Sequence, residues 1–433
     1  MRGRAILAAA PLAVAVAALG IPPAAAVSGG SVTSFGNGAY GQLGGGGNAA
    51  SPVPIGAPVT AVAAGCYHSL ALTADGTVWA WGLNDDGQLG DGSHAHRATP
   101  VRVSGLPGPV AAIAAGCHHS LALTQAGQVW AWGEAGQGEL GDGSDTLSLK
   151  ASPVHVAALD GVGVTKLAAG GEHSAALTGG GAVYAWGDNR SGELGAGDTG
   201  QHSTPTKLAG LPAVADLSLG TSHSLFVAVD HTLLAAGSNL HGELGDGSTT
   251  DRPAPVTAAH DVVQAAAGDG FSLAVTSGGG VLAWGRNDFG QLGVTAGADR
   301  TSPAAVSGAS AVAAVAAGGR HALAVTTAGG LLSWGDGGDG QLGDAGFAVR
   351  ATPRALDALT GATAIAAGDG HSLVLSGGPG ALPAVAQGST GGTAPVSVPN
   401  TAGSATAVAL PAAAAVLLGA GLTIRNRRRR GTP

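Results

Sequence analysis

A histidine that is usually followed by serine is the recurring pair in this sequence that most invites a chemical interpretation. Histidine can bind a metal or act as a base. Adjacent residues of a strand point to opposite faces, however, so a His–Ser neighbour pair is not a catalytic dyad. Phenylalanine replaces the histidine once, which favours a space-filling role, and we predict neither metal ligands nor catalytic residues here. The seven positions are His68, His119, His173, His223, Phe271, His321 and His371.

The two residues before each of these positions differ from copy to copy. They predict a binding surface on one face of the fold, although a solvated turn would explain each of them individually. The candidates with the most suggestive side chains are Tyr67, His118, Glu172, Arg320, Asp269 and Asp369.

The two cysteines, Cys66 and Cys117, occupy the same position in consecutive copies. Outside the cell such a pair can oxidise. A disulfide needs Cα atoms within about 7 Å of each other. Equivalent positions on neighbouring units can be further apart, so two separate buried thiols are the expected arrangement and a disulfide is the alternative.

The elements that must position these residues are short strands. In the second unit, Ala61–Thr73 and Val78–Gly82 are separated by an Asp-Gly turn and followed by Gly87–Gly90, which reads Gly-Gln-Leu-Gly. That four-residue motif, with Gln or Glu, occurs seven times, beginning at Gly41, Gly87, Gly138, Gly192, Gly242, Gly290 and Gly340. A period of about 50 residues is typical of a propeller.

The ends of the repeat region complement each other. The first Gly-Gln-Leu-Gly motif follows Val32–Asn37 but has no histidine strand before it, and the His371 strand has no Trp-Gly strand after it. Joined, they make one complete unit. We therefore predict an all-β, seven-bladed propeller over 27–378, closed by a composite blade from both ends, with one C-terminal apolar helix in addition.

These repeats resemble those of the regulator of chromosome condensation family, in an Ala-Ala-Gly-x-x-His-Ser strand followed by Trp-Gly and Gly-Gln-Leu-Gly. The resemblance covers about Val32 to Leu375. It implies the propeller fold. It implies little about activity, because one fold hosts many functions.

The two ends predict export. Residues 1–26 resemble a secretory signal peptide, and 379–404 have the composition of a flexible linker. The segment 405–424 has no charge and is long enough to span a bilayer, and the basic tail 425–433 would remain cytoplasmic. Val398–Ala402 resembles a cell-wall sorting signal with Val398 in place of leucine. Sortase would cleave between Thr401 and Ala402 and link Thr401 to peptidoglycan; a retained membrane helix is the alternative.

The net charge of the chain argues against nucleic-acid binding. Without the seven arginines of the two ends, 12 basic residues face 27 acidic ones, a net charge of −15. Nucleic-acid binding needs a basic face. The sequence also lacks a Walker A loop, a Gly-x-Ser-x-Gly motif and a His-Glu-x-x-His motif.

We therefore expect an exported, non-enzymatic binding or adhesion module without cofactor. It would be located in the cell wall or on the outer face of the plasma membrane, and its partner would be a protein or glycan of the envelope. A glycan-active enzyme is the alternative, which would need two carboxylates about 5–10 Å apart in a cleft. Export and acidity argue against guanine-nucleotide exchange, the role of the namesake of the family.

Overall fold

The computed structural model describes residues 29–45, 47–144 and 148–377. They form seven four-stranded antiparallel sheets, arranged as the blades of a propeller. One short 3-10 helix, Ala157–Leu159, precedes the third blade. Within the described residues, no helix has the length and apolar character needed to cross a bilayer. The predicted signal peptide, sorting motif and apolar helix lie outside those residues.

Six blades are continuous in sequence. Blade 1 contains β3 (Val59–Ala64), β4 (His68–Thr73), β5 (Val78–Gly82) and β6 (Arg97–Arg102). Blade 2 contains β7 (Val110–Ala115), β8 (His119–Thr124), β9 (Val129–Gly133) and β10 (Lys150–His155). Blade 3 contains β11 (Val164–Ala169), β12 (His173–Thr178), β13 (Val183–Gly187) and β14 (His202–Lys207).

The next three follow the same order. Blade 4 contains β15 (Val214–Leu219), β16 (His223–Ala228), β17 (Leu233–Gly237) and β18 (Arg252–Ala259). Blade 5 contains β19 (Val262–Ala267), β20 (Phe271–Thr276), β21 (Val281–Gly285) and β22 (Arg300–Ala305). Blade 6 contains β23 (Val312–Ala317), β24 (His321–Thr326), β25 (Gly330–Gly335) and β26 (Arg350–Thr360).

Blade 7 is built from both ends of the repeat region. Its strands, in the order β2-β1-β28-β27, are β2 (Ser51–Pro52), β1 (Ser31–Gly36), β28 (His371–Ser376) and β27 (Ala362–Ala367). β1 pairs with β28 along its whole length, from Ser31 opposite Ser376 to Gly36 opposite His371. The first strands of neighbouring blades contact each other around the entire circle. The predicted composite blade and the closed ring are confirmed.

The apolar core lies between blades, where a tryptophan of one blade packs against the blade before it. In blade 2, for example, Trp132 packs against Leu70 and Leu89 of blade 1. Trp81, Trp132, Trp186, Trp284 and Trp334 are fully buried. Trp79 and Trp130 lie on the other side of their strand and are only half-buried, against Arg102 and His155 respectively.

A second repeated contact joins the blades through the recurring histidines. Each histidine Nε2 lies 2.8–3.1 Å from the serine Oγ of the next blade, as His68 does from Ser120. That serine donates to the carbonyl of the Gln or Glu in the Gly-Gln/Glu-Leu-Gly motif of the blade before it. Because the serine proton is already used, the histidine must donate from Nε2–H.

The exception supports this interpretation. Phe271 replaces the histidine of blade 5, and Ala322 replaces the serine of blade 6 that would have been its partner. Both members of the pair are therefore absent together. The predicted structural role of the histidines agrees with these contacts.

The glycine of each Ala-Ala-Gly segment makes room for the histidine ring. A Cβ on Gly65 would lie 2.4 Å from His68 Cε1 and 2.3 Å from the carbonyl oxygen of Gly116. No side chain fits at that distance, since the carbonyl belongs to rigid backbone. The requirement for glycine thus comes from close packing around the shaft of the propeller.

Candidate interaction face

The variable residue pairs lie at one mouth of the central shaft, between the first and second strand of each blade. Backbone hydrogen bonds link these segments from blade to blade. Asp369 N–H, for example, donates to the Cys66 carbonyl over 3.3 Å, and Gly171 N–H donates to the Gly220 carbonyl over 3.1 Å. The ring of segments therefore brings residues distant in sequence onto one surface. We call it the variable mouth, defined by the pairs Cys66–Tyr67, Cys117–His118, Gly171–Glu172, Thr221–Ser222, Asp269–Gly270, Gly319–Arg320 and Asp369–Gly370.

Four of the predicted binding residues come together at this mouth, from blades 5, 6, 7 and 1. The Tyr67 hydroxyl hydrogen-bonds to the Asp369 carboxylate. Burial, together with the nearby charge of Asp269, raises the pKa of Asp369 to about 6, against the opposing effect of Tyr67 and Arg320. Burial and the Asp369 charge also raise the pKa of Tyr67.

The positive charges of two arginines partly offset the negative charges of Asp269 and Asp369. Arg286 Nη1 lies 3.2 Å from Asp269 Oδ2, and the Arg320 guanidinium lies 4.7 Å from the centre of the Phe289 ring. The positive charges of Arg286 and Arg320 oppose the rise in the Asp269 pKa, but its burial is the larger effect and the pKa remains raised. This part of the mouth is a half-buried acidic centre with an arginine-lined edge.

The other two predicted residues, His118 and Glu172, form a second group on blades 2 and 3. His118 Nδ1 lies 2.8 Å from Asp86 Oδ2, and Glu172 Oε2 lies 2.8 Å from Arg190 Nη2. Burial tends to lower the pKa of His118, but the hydrogen bond and charge of Asp86 reverse this and the pKa is raised. Burial raises the pKa of the neighbouring Glu134.

The cysteines lie between the two groups and are bonded to each other, so the expected pair of separate thiols is wrong. The Cα atoms of Cys66 and Cys117 are 4.5 Å apart. Neighbouring blades are closest at the shaft, and both cysteines lie there, whereas the period of the sequence does not reveal that distance. The disulfide fixes Tyr67 and His118, the next residue in each case, side by side.

One group of residues that contributes to the variable mouth was not predicted from the sequence. The residue immediately before each Gly-Gln/Glu-Leu-Gly motif also varies, and in three copies it contacts the variable pair of the next blade. Tyr40 lies against Tyr67 with ring centres 5.5 Å apart, and Phe289 lies beneath Arg320. Asp86 contacts His118 in the same way. A comparison of the repeats at this second variable position would have been the signal.

Two cavities of the described residues lie elsewhere. A cavity of about 470 Å³ is lined by Gly29–Val32, Val53, Ile55–Val59 and Ser376–Gly377. A second of about 380 Å³ is lined by Asp75–Val78, Arg102–Val103 and Leu106–Pro109. Both are near the turns at the opposite ends of the second strands.

Comparison with known proteins places this architecture in a family. The model of the RCC1-like domain matches residues 13–226. The model of the regulator of chromosome condensation (RCC1) repeat matches 230–275, 278–325 and 328–375. The chain belongs to the RCC1 repeat family. The resemblance seen in the sequence is therefore confirmed for fold and family.

Two solved structures and one curated relative illustrate the similarity. Human WBSCR16 is 25% identical, with a TM-score of 0.73 over 81% of this chain and 99% of that protein. Prp20p of Saccharomyces cerevisiae is 25% identical, with a TM-score of 0.72 over 82% and 92%. The ultraviolet-B receptor UVR8 of Arabidopsis thaliana is 33% identical over 63% of this chain and 64% of the receptor. The match thus spans less than two thirds of that relative.

Within this RCC1 propeller, the disulfide gives a direct stability prediction. Replacing Cys66 and Cys117 together by alanine is expected to lower the free energy of unfolding by about 2–4 kcal/mol, since the bond closes a long loop in the unfolded chain. Denaturant unfolding, with and without a reductant, measures this. The reductant should destabilise the natural protein and leave the double variant unchanged. Equal stability of the two proteins without reductant would contradict the prediction.

Proposed function

We propose that this chain is a non-enzymatic binding module that holds a partner on the variable mouth. The observation that supports this most is the division of the repeat into two parts. The tryptophans, histidines and Gly-Gln/Glu-Leu-Gly motifs build the ring. The positions that differ between the blades converge on one surface, where they carry tyrosine, arginine and acidic side chains.

The chemistry of this surface favours a partner with cationic groups beside an acidic or aromatic one. Asp269, Asp369 and Glu172 offer negative charge, while Arg320 and Tyr67 supply side-chain types that are enriched in interface hot spots. Prp20p, the relative of similar fold, has described binding properties to Gsp1p and to histones. For this chain we propose a protein or a glycan of the cell envelope, held by the same architecture but by its own side chains.

Location is part of this proposal. Export is supported by residues 1–26, and attachment by Val398–Ala402, the apolar segment 405–424 and the basic tail. Either wall linkage at Thr401 or a membrane helix would expose the propeller on the outside. An acidic binding face would then meet partners at the envelope.

The alternative of a glycan-active enzyme needs a free carboxylate pair in a cleft. Asp269 and Asp369 are near each other, but Arg286 contacts the first and Tyr67 hydrogen-bonds to the second. These observations favour binding.

Photo-crosslinking tests the proposed face. A photoreactive phenylalanine derivative at position 67 is compared with the same derivative at position 184, where a second half-buried tyrosine lies away from the mouth. In cells that express the chain, we expect a crosslinked species of discrete mass from position 67 but not from 184. Glu172→Lys should reduce its yield about tenfold by placing a like charge against a cationic group. Asp230→Lys, the same charge change at an exposed turn of blade 4, should leave it unchanged.

Crosslinks of equal yield from both positions would contradict a partner on the variable mouth. So would an equal loss of yield in the two lysine variants.

A further inference from the structure

Three side chains at the variable mouth form a group suited to a metal ion. Asp86, His118 and Glu134 each offer one ligand atom, and the three atoms all lie within 4.8 Å of one another. Asp86 comes from the loop after β5, His118 from the start of β8, and Glu134 from the end of β9. They therefore converge from two neighbouring blades rather than from one flexible loop.

The donor set selects a class of ion. One imidazole and two carboxylates suit zinc and related divalent transition metals, whereas calcium and magnesium prefer oxygen ligands alone. Bonds of about 2.0–2.1 Å in a tetrahedral site place ligand atoms roughly 3.3 Å apart. The 2.8 Å contact of His118 with Asp86 would have to widen slightly, and the wider separations of the group would have to contract.

A second observation is found at Glu139, which follows Glu134 by five residues in the loop after β9. Its side chain is 1% exposed, and its Oε1 atom has no hydrogen-bond partner among the described residues. Oε2 accepts from the Gln137 N–H over 2.7 Å, so only one side of the carboxylate is satisfied. Glu139 is close enough to Glu134 and Glu172 to feel their charges. A buried carboxylate oxygen without a hydrogen-bond donor can be satisfied by a proton or by a cation, so Glu139 is compatible with a cation in this loop.

The backbone at the group is held in place. Cys117, immediately before His118, is bonded to Cys66 of blade 1, the blade that also carries Asp86. The disulfide therefore ties together the two blades from which the ligands come. A site held in this way loses little conformational freedom when an ion binds.

We propose that Asp86, His118 and Glu134 bind one divalent transition-metal ion, for which Zn²⁺ is the appropriate probe. The remaining coordination position is open to water or to a group of a bound partner. This proposal is independent of the proposed function, because it concerns the chain alone.

Other histidine–aspartate contacts provide matched controls. His155 lies 2.9 Å from Asp160, and His241 lies 2.7 Å from Asp299. Neither belongs to a group of three metal-ligating side chains within the described residues. A surface histidine paired with one carboxylate is therefore present in both the test and the control, and only the third ligand differs.

The experiment is a Zn²⁺ titration of the full chain, purified without a polyhistidine tag, in competition with a chromogenic chelator. The natural protein and His155→Gln should bind one Zn²⁺ with equal affinity. His118→Gln and Glu134→Gln should each weaken that binding at least tenfold, since each removes one of three protein ligands. Calcium in large excess should not displace the zinc, because the site includes an imidazole.

Thermal unfolding of each variant in the absence of metal checks that the fold is retained. Glu134→Gln keeps the shape of the side chain, so it tests the proposal even if His118→Gln disturbs packing. The proposal is overturned if the natural protein binds Zn²⁺ no more tightly than His118→Gln and Glu134→Gln. It is equally overturned if His155→Gln loses as much affinity as they do.

Discussion

Replacing His371 by phenylalanine together with Ser69 by alanine is expected to make the protein less sensitive to acid by about 2 kcal/mol between pH 7 and pH 5. The double variant copies the arrangement that blades 5 and 6 already have at Phe271 and Ala322. Because Phe271 already occupies the equivalent position in blade 5, we expect the propeller of the variant to close. At pH 7 the variant should lose only about 2 kcal/mol, because it removes two hydrogen bonds, His371 to Ser69 and Ser69 to the Gln42 carbonyl, each of which typically contributes about 1 kcal/mol.

The physical reason is the burial of six neutral histidines. Removal from water lowers the pKa of His173 to about 4 and that of the other five to about 3. Nε2 is engaged by the serine of the next blade, and Nδ1 has no hydrogen-bond partner among the described residues in five of the six. A second proton would therefore place an unpaired charge between two blades. The six are His68, His119, His173, His223, His321 and His371.

The direction of the pH effect follows from proton binding in the two states. Below a pKa of about 6.5 an unfolded histidine takes up a proton, while the folded one stays neutral until about pH 3–4. Stability is therefore lost as the pH falls through this window and is level below it. Each histidine contributes roughly 2 kcal/mol of loss by pH 5, as its unfolded form is then almost fully protonated.

Buried acids oppose this trend in the whole protein. Burial raises the pKa of Glu139 and Glu193 to about 7 and that of Asp369 to about 6, so the folded state binds their protons first and gains stability on acidification. The net pH profile mixes both effects. Comparing the double variant with the natural protein cancels the acids and isolates one histidine.

Chemical denaturation at pH 7, 6 and 5 measures the difference. Introducing the same change at the distant contact of blade 3 with blade 4, as His173→Phe with Ser224→Ala, should add about 2 kcal/mol. Ser333→Ala serves as a control, because it removes a buried serine whose hydroxyl donates to the Leu342 carbonyl over 2.8 Å. A double variant with the pH slope of the natural protein would refute the explanation.

The closed propeller could be predicted from the sequence because it is built from repeats of one unit. Every unit repeats the same strands, and the two incomplete ends, Val32–Gly44 and the His371 strand, can only be completed by each other. The same logic located the variable pairs, since a position that changes among otherwise similar units is not needed by the fold. Tyr67, Glu172 and Arg320 do lie on one surface.

Contacts between side chains of different blades could not be predicted from the sequence. The bond of Cys66 to Cys117 depends on how close two blades come at the shaft, and the approach of Asp86 to His118 depends on how a loop of one blade overlaps the next. The repeat period of the sequence contains no information about either distance. The half-buried Trp79 and Trp130 show the same limit. The alternation of side chains along a strand shows which residues share a face, but it does not show which face another blade covers.

Deleting residues 27–45 is expected to produce the largest loss of stability, about 10 kcal/mol, because it removes the strand that closes the ring. Val32, Phe35 and Leu43 are all buried, and losing a large core side chain typically costs about 2–5 kcal/mol. β28 would also lose its partner along its whole length.

The deletion also disconnects the next blade. The Gln42 carbonyl accepts hydrogen bonds from both Trp81 Nε1 and Ser69 Oγ, over 2.8 and 2.9 Å. Without it, two buried donors of blade 1 lose their acceptor, which costs about 1–3 kcal/mol for each. The effect therefore extends over both contacts of blade 7, with blade 6 through Phe35 and with blade 1 through Gln42.

Thermal and denaturant unfolding test this with two controls. A deletion of 380–398 removes the same number of residues outside the described part of the chain, and we expect almost no change. Phe35→Ala removes one core side chain but keeps β1, and should lose about 3–5 kcal/mol. If the ring is latched by its composite blade, stability must fall in the order natural protein, Phe35→Ala, deletion of 27–45. Equal melting temperatures for the two deletions would mean that closure contributes nothing, and that the blades are stable as an open array.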